Sequence, residues 1–275
     1  MALDLRAALN AVSDVVQNRP SPLREFDQIY MKVGDVVVHS ELMARKLDGQ
    51  RIAFVGDGDA IGLCMAHLQN EGVISYGPRQ ITIFDFDGRV VESVNDFARK
   101  SECEQLINAR LYNVFDPLPA EDISGYDGFH INPPWGQYNG GESVVAFLER
   151  GIHLTKVGGT GVVVIGDDPG RPWTGKVIQR TQTAALEQGL IVSEMIPELH
   201  SYHLDDAPDL KSCAIIFRKI EDRAPANAPL SEERVAGFYG RGKALGTQYV
   251  RPVPRLNPDK AASHTYRLEP LEKKP

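Results

Sequence analysis

Short apolar runs alternate with longer amphipathic segments between Arg51 and Lys219. The runs have the length and composition of buried strands, and apolar residues in the intervening segments recur at helical spacing. This alternation favours a mostly parallel sheet with helices on both faces. The last two runs have no helix between them, so we expect them to pair antiparallel at the sheet edge. We therefore predict an α/β fold with a seven-stranded, mostly parallel sheet and an antiparallel last strand. The seven runs are RIAFVG, QITIFDFD, INARLYNVF, YDGFHIN, GTGVVVIG, LIVSEMIPEL and SCAIIFRK.

Three regions of the chain differ in composition. Residues 1–48 carry two helical patterns separated by the proline-containing stretch NRPSP, and residues 49–220 hold the alternating pattern. Residues 221–275 are rich in Pro, Arg and Gly, which predicts an arm with little regular structure. Such an arm can cover the active site, contact a second subunit in a homodimer, or remain mobile.

The charge is distributed unevenly. From Asp222 onwards there are ten basic and six acidic residues, whereas the remainder has 20 basic and 31 acidic residues. The acidic body favours cationic small molecules over nucleic acid as partners, although solubility alone explains the charge equally well.

No apolar run is long enough to span a membrane, and the first residues lack the apolar segment of a signal peptide. We therefore expect a cytoplasmic protein. The three cysteines, Cys64, Cys103 and Cys213, lie in apolar segments without metal spacing, so we expect buried free thiols.

A glycine-rich loop follows the first predicted strand in the stretch RIAFVGDGDAIG. Gly56 and Gly58 allow the backbone to turn tightly and approach a ligand, and Gly62 allows the next helix to pack closely on the strand. The nicotinamide fingerprint requires glycine at position 61, which is Ile61. The spacing present is common in enzymes that bind S-adenosylmethionine, although a purely structural turn is the alternative.

Acidic residues follow the next two predicted strands. Asp85 and Asp87 end QITIFDFD, where a carboxylate can accept hydrogen bonds from ribose hydroxyls, and Asp116 follows LYNVF, where it can accept from an adenine amino group. Each residue alone can be a helix cap. The ordered set at the carboxyl ends of consecutive strands predicts a nucleoside site.

The fourth predicted strand ends in Asn132, Pro133, Pro134 and Trp135. The prolines fix the loop and remove two backbone donors, so the loop presents carbonyl oxygens. Together with the Asn132 amide oxygen, they can hold an amino group with its lone pair aimed at an electrophilic carbon. Trp135 can stack on a planar or cationic group. The loop looks like the Asn/Asp-Pro-Pro-aromatic motif of methyltransferases that modify nitrogen.

With these motifs in place, residues 19–218 resemble the branched-chain polyamine synthases, the bis(aminopropyl)spermidine synthases. The matching stretches are RPSPLREFDQ, GDGDAIGLCMA, FDFDGRVV, NPPW and FLERGI. The resemblance implies a Rossmann-like methyltransferase fold, although the helical N-terminal segment is shorter here than the N-terminal helical domain of the family. It also implies aminopropyl transfer from decarboxylated S-adenosylmethionine to an internal amine of a polyamine.

The resemblance also implies roles for individual residues. Asp57 and Asp59 correspond to amine-site carboxylates, Asp85 to the ribose ligand, and Asp27 and Gln28 to residues near the ligand pocket. Two departures from the family pattern concern the chemistry. Gly58 replaces the middle acidic residue of a Gly-Asp-Asp-Asp segment, and both acidic residues of an Asp-Pro-Pro-Glu loop are replaced by Asn132 and Trp135.

The sequence thus predicts one site, with S-adenosylmethionine or its decarboxylated form as co-substrate. His200 and His203 lack a third ligand at metal spacing, so no metal is assigned. The predicted catalytic residues are Asp59, Asn132, Pro133 and Trp135; the donor-binding residues are Gln28, Gly56, Asp57, Gly58, Asp85, Phe86 and Asp116; the acceptor-binding residues are Tyr138, Asp167, Asp168 and His203.

The sequence is compatible with three functions. The first is an N-alkyltransferase similar to the polyamine synthases, favoured because Asp57 and Asp59 would attract the bare ammonium of a decarboxylated donor. The second is an S-adenosylmethionine-dependent N-methyltransferase acting on a small molecule or protein, favoured by the neutral Asn132 loop. The third is a non-catalytic member that retains the fold for binding.

Overall fold

A computed structural model describes residues 3–239, 248–253 and 266–270. Its main sheet has seven strands in the order β3-β2-β1-β4-β5-β7-β6. The first five strands pair in parallel, and β7 pairs antiparallel with both β5 and β6. The predicted α/β class and the antiparallel pairing of the last two strands are confirmed. The strands are β1 Arg51–Val55, β2 Gln80–Asp85, β3 Ile107–Leu111, β4 Tyr126–Ile131, β5 Thr155–Gly166, β6 Leu190–Ser201 and β7 Lys211–Lys219.

Six helices of ten residues or more surround the sheet within the described residues. They are α1 Leu5–Asn18, α2 Val33–Lys46, α3 Ile61–Asn70, α4 Gly88–Lys100, α5 Glu142–Leu154 and α6 Pro172–Glu187. α1 and α2 pack against each other and against α3. Asp4 is the N-cap of α1, and its carboxylate accepts hydrogen bonds from two first-turn amides. The buried residues of α1 have helical spacing, as expected for a helix that covers a core on one face: Ala8, Ala11, Val12 and Val15.

The ring of Phe129, on β4, fills the space between α5 and β5. A Cβ atom at Gly151 or at Gly161 would lie 2.5 Å from this ring. Both positions therefore require glycine because of close packing. At these two positions α5 and β5 lie so close to the Phe129 ring that a methyl group cannot fit between them.

Lys219 is a buried lysine at the end of β7, with 2% of its surface exposed. Its ammonium donates to the carbonyl oxygens of Ile152 and Thr155, at 2.9 and 2.8 Å, and lies 3.1 Å from the carboxylate of Asp222. The last turn of α5 thus gains a cation at its carbonyl end, where the helix dipole favours positive charge.

Three histidines form a buried hydrogen-bonded chain behind the carboxyl edge of the sheet. The Nε2 atoms of His130 and His39 are 2.9 Å apart, and His39 Nδ1 is 2.8 Å from His200 Nε2. His200 continues to the hydroxyl of Ser212 at 2.8 Å, which is 2.6 Å from the hydroxyl of Tyr202. Burial lowers the pKa of His130 to about 3 and that of His200 to about 4, so the chain is neutral at pH 7.

The described part of the C-terminal arm has more regular structure than the sequence predicted. It contains a short helix, α7 Glu232–Val235, and an antiparallel hairpin of β8 Gln248–Pro252 and β9 Tyr266–Pro270. Arg150 donates to the carbonyl oxygen of Ala228 at 2.7 Å, which anchors the start of the arm on α5. The predicted irregular residues 240–247 and 254–265 lie outside the described residues.

The three cysteines are buried free thiols, as predicted. The helices in residues 3–239 and in the two C-terminal segments are all too short or too polar to cross a membrane.

Candidate active site

A cavity of about 280 Å³ opens at the carboxyl ends of the parallel strands. Its walls are formed by the loops that follow β1 to β5, by residues 24–30 and by the connection between β6 and β7. Ligands of open α/β sheets bind at this edge. Gly56, Asp85 and Asn132 all line this one cavity, although they follow three different strands.

The glycine loop brings Gly56 to the cavity but turns Asp57 away from it. Gly56 has a φ of +74°, a conformation that L residues rarely adopt. The Asp57 carboxylate accepts hydrogen bonds of 2.9 Å from the amides of Ile61 and Gly62, at the first turn of α3. Asp57 was predicted to bind the donor; the structure instead makes it a buried helix cap outside the cavity wall. Burial raises its pKa.

Asp85 lies in the cavity wall with 4% of its surface exposed. Its two carboxylate oxygens accept from the backbone amides of Asp57, at 3.0 Å, and Asp87, at 2.8 Å. Burial, and then the charge of Asp87, raises the pKa of Asp85 to about 7. Because each oxygen keeps a free lone pair, Asp85 can still accept a hydrogen bond from a ligand hydroxyl.

Two predicted donor-binding residues flank Asp85. Phe86 and Gln28 line the cavity, as does Gly58. The Gln28 amide is fixed at both ends, since it accepts from Leu23 at 2.8 Å and donates to Asp87 at 3.2 Å. Asp87 itself forms an ion pair with Arg89 at 2.6 Å.

After β3 the cavity is lined by Tyr112, Asn113 and Val114, and Asp116 does not line it. The carboxylate of Asp116 accepts a 3.0 Å hydrogen bond from the hydroxyl of Tyr249 on β8. Asp116, predicted to contact adenine, thus lies outside the cavity wall and contacts the C-terminal arm. The sequence contained a signal for Asn113, because it is the first strongly polar residue after the end of β3.

Asp59 and Asn132 are joined by a hydrogen bond inside the site. The amide nitrogen of Asn132 donates to Asp59 at 2.8 Å, and the other carboxylate oxygen of Asp59 accepts from the amide of Met31 at 2.7 Å. The guanidinium of Arg19 lies 3.7 Å from the same carboxylate. Burial raises the pKa of Asp59 to about 6, although Met31, Arg19 and Asn132 oppose the shift.

The prolines and Trp135 follow Asn132 along the cavity wall. Trp135 is buried, and its ring meets the ring of Tyr202 at right angles, with 5.3 Å between the centroids. Tyr138 is 65% exposed and lines the outer part of the cavity. The loop thus presents an amide and aromatic surface without a carboxylate.

Three predicted acceptor-binding residues lie outside the cavity wall. Asp167 accepts a 3.0 Å hydrogen bond from the amide of Glu198. Asp168 accepts a hydrogen bond from the amide of Gly170 at 2.8 Å and forms an ion pair with Arg171. Both partners belong to the loop that contains Asp168. The side chain of His203 is exposed. Arg171 and Trp173 line the cavity in place of the two aspartates.

Several lining residues were not predicted from the sequence. Tyr239, from the arm, packs edge to face on Phe26 with 5.1 Å between the ring centroids. Tyr202 and Leu204 line the cavity from the end of β6. Residues so distant in sequence give no local signal of a shared site. Within residues 3–239 and the two C-terminal segments, no three His, Cys, Asp or Glu residues are placed to hold a metal ion.

The sequence matches a known protein family. The model of the branched-chain polyamine synthase A C-terminal domain matches residues 7–224. Two curated relatives, the N(4)-bis(aminopropyl)spermidine synthases of Thermococcus kodakarensis and Methanocaldococcus jannaschii, are 26% and 25% identical over 150 residues. These matches cover 54% of this chain and 39% of each relative. The chain therefore spans about two fifths of the length of the curated relatives it matches.

Solved structures support the fold. The branched-chain polyamine synthase of Thermus thermophilus, in complex with N4-aminopropylspermidine and 5′-methylthioadenosine, is 21% identical with a TM-score of 0.68, over 82% of this chain and 67% of that one. Its C9 mutein has a TM-score of 0.70 at 19% identity, over 86% and 70%. A SAM-dependent O-methyltransferase of Thermotoga maritima has a TM-score of 0.50 at 13% identity, over 78% and 73%. A methyltransferase-like fold is thus confirmed.

Proposed function

The chain belongs to the branched-chain polyamine synthase family, and on this premise we propose that it is an N-alkyltransferase. It transfers an aminopropyl group from decarboxylated S-adenosylmethionine to an amine nitrogen. The acceptor class suggested by its relatives is a polyamine, since the names of the curated relatives and the complex of the Thermus protein refer to one.

The observation that carries the proposal is the common cavity of Gly56, Asp85 and Asn132. The nucleoside would lie against Gly56 and Phe86, with a ribose hydroxyl donating to Asp85. Its sulfur would then face the loop that begins at Asn132. This order follows the order of the strands β2, β1 and β4 in the sheet.

The hydrogen bond between Asn132 and Asp59 supports the handling of the acceptor nitrogen. Because the Asn132 amide nitrogen donates to Asp59, the amide oxygen is the atom left to accept an N–H from the amine. Carbonyl oxygens in the rigid loop of Pro133 and Pro134 can accept a second one. An amine held through its hydrogens directs its lone pair at the donor carbon, which is the orientation that displacement requires.

In the reaction, the nitrogen lone pair forms the new N–C bond while the C–S bond breaks. The bonding electrons stay on sulfur, which leaves as the neutral thioether 5′-methylthioadenosine. The nitrogen loses one proton, for which Asp59 is the nearest base in the proposed arrangement.

Proton transfer is assisted by burial of both partners. An aliphatic amine with a pKa of about 10 costs on the order of 4 kcal/mol to deprotonate at pH 7. Burial raises the pKa of Asp59 to about 6. Exclusion of water by Trp135 would lower the pKa of the amine, so the two values approach each other.

A second candidate is methyl transfer from intact S-adenosylmethionine, and one observation favours it. Arg24 lines the cavity, and its Nη1 atom is buried without a hydrogen-bond partner among the described residues. A guanidinium in this position can pair with the carboxylate that intact S-adenosylmethionine carries. The neutral Asn132 loop is compatible with either reaction.

The leaving nucleoside distinguishes the two reactions. We would incubate the protein with spermidine and either donor, and identify the nucleoside product by mass spectrometry. Aminopropyl transfer yields 5′-methylthioadenosine, and methyl transfer yields S-adenosylhomocysteine. Formation of the first product only with the decarboxylated donor and an amine supports the proposal. Amine-dependent formation of the second makes methyl transfer the function, and no product with any amine contradicts both.

A further inference from the structure

The connection between β6 and β7 forms one wall of the cavity, next to the segment that leads into α2. The two segments are joined through their backbones. The amide of His203 donates to the carbonyl oxygen of Tyr30 at 3.1 Å, and Met31 and Tyr202 form an antiparallel bridge. The position of this wall therefore does not depend on the exposed side chains that it carries.

This connection presents both apolar surface and a carboxylate to the cavity. Leu204 and Leu210 line it and are buried, with 7% and 6% of their surface exposed. Asp206 lines the same cavity, but its side chain is 62% exposed. An apolar wall with a carboxylate at its solvent side fits an alkyl chain that ends in an ammonium group. The methylenes leave water on binding, while the charged end keeps part of its hydration.

Asp206 is paired with Arg24, which also lines the cavity. The guanidinium nitrogen lies 3.6 Å from the carboxylate oxygen, a distance too long for a hydrogen bond. The two side chains are 37% and 62% exposed, so water screens their charges and the pair contributes little to stability. A second cation that enters the cavity can therefore compete with Arg24 for this carboxylate.

Resting on the proposed function, we propose that Asp206 binds a remote ammonium group of the acceptor and that Arg24 competes for the same carboxylate. The reacting nitrogen lies at Asn132, and the remote ammonium replaces the guanidinium at Asp206. The methylenes between the two nitrogens lie against Leu204 and Leu210. The acceptor is thus a diamine or a longer polyamine, whose second nitrogen determines affinity without taking part in bond formation. Arg24 lowers the affinity for this class, because its charge holds the carboxylate and repels the incoming cation.

Two amines of matched shape measure the contribution of the remote charges. N-propylbutan-1-amine is spermidine without its two terminal amino groups. We would measure the binding of both by calorimetry with 5′-methylthioadenosine present, because this nucleoside fills the donor site and carries no charge that could pair with Arg24. On the unaltered protein, spermidine should bind at least about fivefold more tightly than N-propylbutan-1-amine.

Two variants with opposite expected effects test the roles of the ion pair. Asp206→Asn should raise the Kd of spermidine about fivefold, and Arg24→Gln should lower it about threefold. Neither variant should change the Kd of N-propylbutan-1-amine by more than about twofold, since this amine has no remote ammonium group. A purely structural role of the pair would instead make both variants weaken the binding of both amines.

Asp205 offers a matched control for the loss of charge. It precedes Asp206, is exposed, and does not line the cavity. Asp205→Asn should therefore leave the Kd of spermidine within about 1.5-fold of that of the unaltered protein. Asp206→Glu keeps the charge on an exposed side chain, and should bind spermidine within about twofold of the unaltered protein.

The outcomes separate this inference from the proposed function. If Asp206→Asn leaves the Kd of spermidine unchanged, or if Arg24→Gln raises it, the inference is overturned, and turnover of spermidine leaves the function standing. If the variants behave as expected but neither nucleoside product is formed, the inference stands and the function is contradicted. If spermidine does not bind at all, both are overturned. The comparison of the two amines is made on the unaltered protein, so weaker binding of spermidine overturns the inference even if a variant does not fold.

Discussion

The amide nitrogen of Asn132 lies 2.8 Å from the carboxylate of Asp59 and donates a hydrogen bond to it. The two residues follow different strands, β4 and β1, which are neighbours in the sheet. This bond fixes the orientation of the amide. It also places a base whose pKa is raised to about 6 next to the proposed position of the acceptor nitrogen.

Replacement of Asp59 by Asn should therefore impair catalysis more than folding. The variant removes the base and leaves Arg19 without its partner. We expect kcat to fall by about 10² or more, as is typical when a general base is lost. Steady-state kinetics with the active donor and amine would measure this. A kcat within threefold of the unaltered protein would exclude Asp59 as the base.

Asp57→Asn is the matched control for this prediction. Asp57 has the same side chain two residues earlier, but it caps α3 and does not line the cavity. We expect its replacement to lower the free energy of unfolding by about 1 kcal/mol, with kcat largely retained. Urea unfolding and the same kinetic assay would test both parts.

Asp57 and Asp59 also illustrate what the sequence could and could not predict. The glycine spacing predicted a loop at the carboxyl edge, and the structure has this loop. Which aspartate faces the cavity depends on backbone angles, such as the left-handed conformations of Gly56 and Ala60. Sequence spacing does not determine these angles.

Long-range contacts limited the prediction in the same way. Asp116 follows a strand as the pattern required, but its carboxylate binds Tyr249, which lies 133 residues later. The sheet itself was predictable because each strand and helix has its own local periodicity. The cavity wall formed by Trp173, Tyr202 and Leu210 was not predictable, since these residues come together only through the order of the strands.

Asp85 should make stability decrease as the pH rises. Its pKa of about 7 in the folded protein is above the usual aspartate value of about 3.8. The protonated form is therefore favoured in the folded state, and the stability it contributes at low pH is lost between about pH 4 and 7. As the pH rises from 5 to 7.5, the free energy of unfolding should fall for the unaltered protein. For Asp85→Asn we expect this fall to be smaller by about 2 kcal/mol. Urea unfolding at the two pH values measures the difference, and equal losses would contradict the shift.

The buried histidine chain should have the opposite effect. The pKa values of His39, His130 and His200 are all lowered by burial. The neutral forms are thus favoured in the folded state, and stability is lost as the pH falls below the unfolded value of about 6.5. From pH 7 to 5 we expect His130 and His200 each to lower the free energy of unfolding by about 2 kcal/mol. His200→Gln should remove its own share of about 2 kcal/mol; an unchanged loss would show that His200 is not held neutral.

Replacement of a helical glycine by alanine should have opposite effects on stability at two positions. At Gly151 the new Cβ would meet Phe129 at 2.5 Å, whereas at Gly175 it would have no neighbour within 4 Å. We expect Gly151→Ala to destabilise the protein by about 1–3 kcal/mol. Gly175→Ala should stabilise it by about 0.5–1 kcal/mol. Thermal unfolding would measure both, and a stable Gly151→Ala variant would contradict the close packing at Phe129.

The most direct measurement is a crystal structure of the protein with 5′-methylthioadenosine and spermidine. We predict the ribose at Asp85, the sulfur facing Asn132, and the amine nitrogen within hydrogen-bonding distance of the Asn132 amide oxygen. A nucleoside bound away from Gly56 and Asp85, or an amine in a separate pocket, would contradict the account.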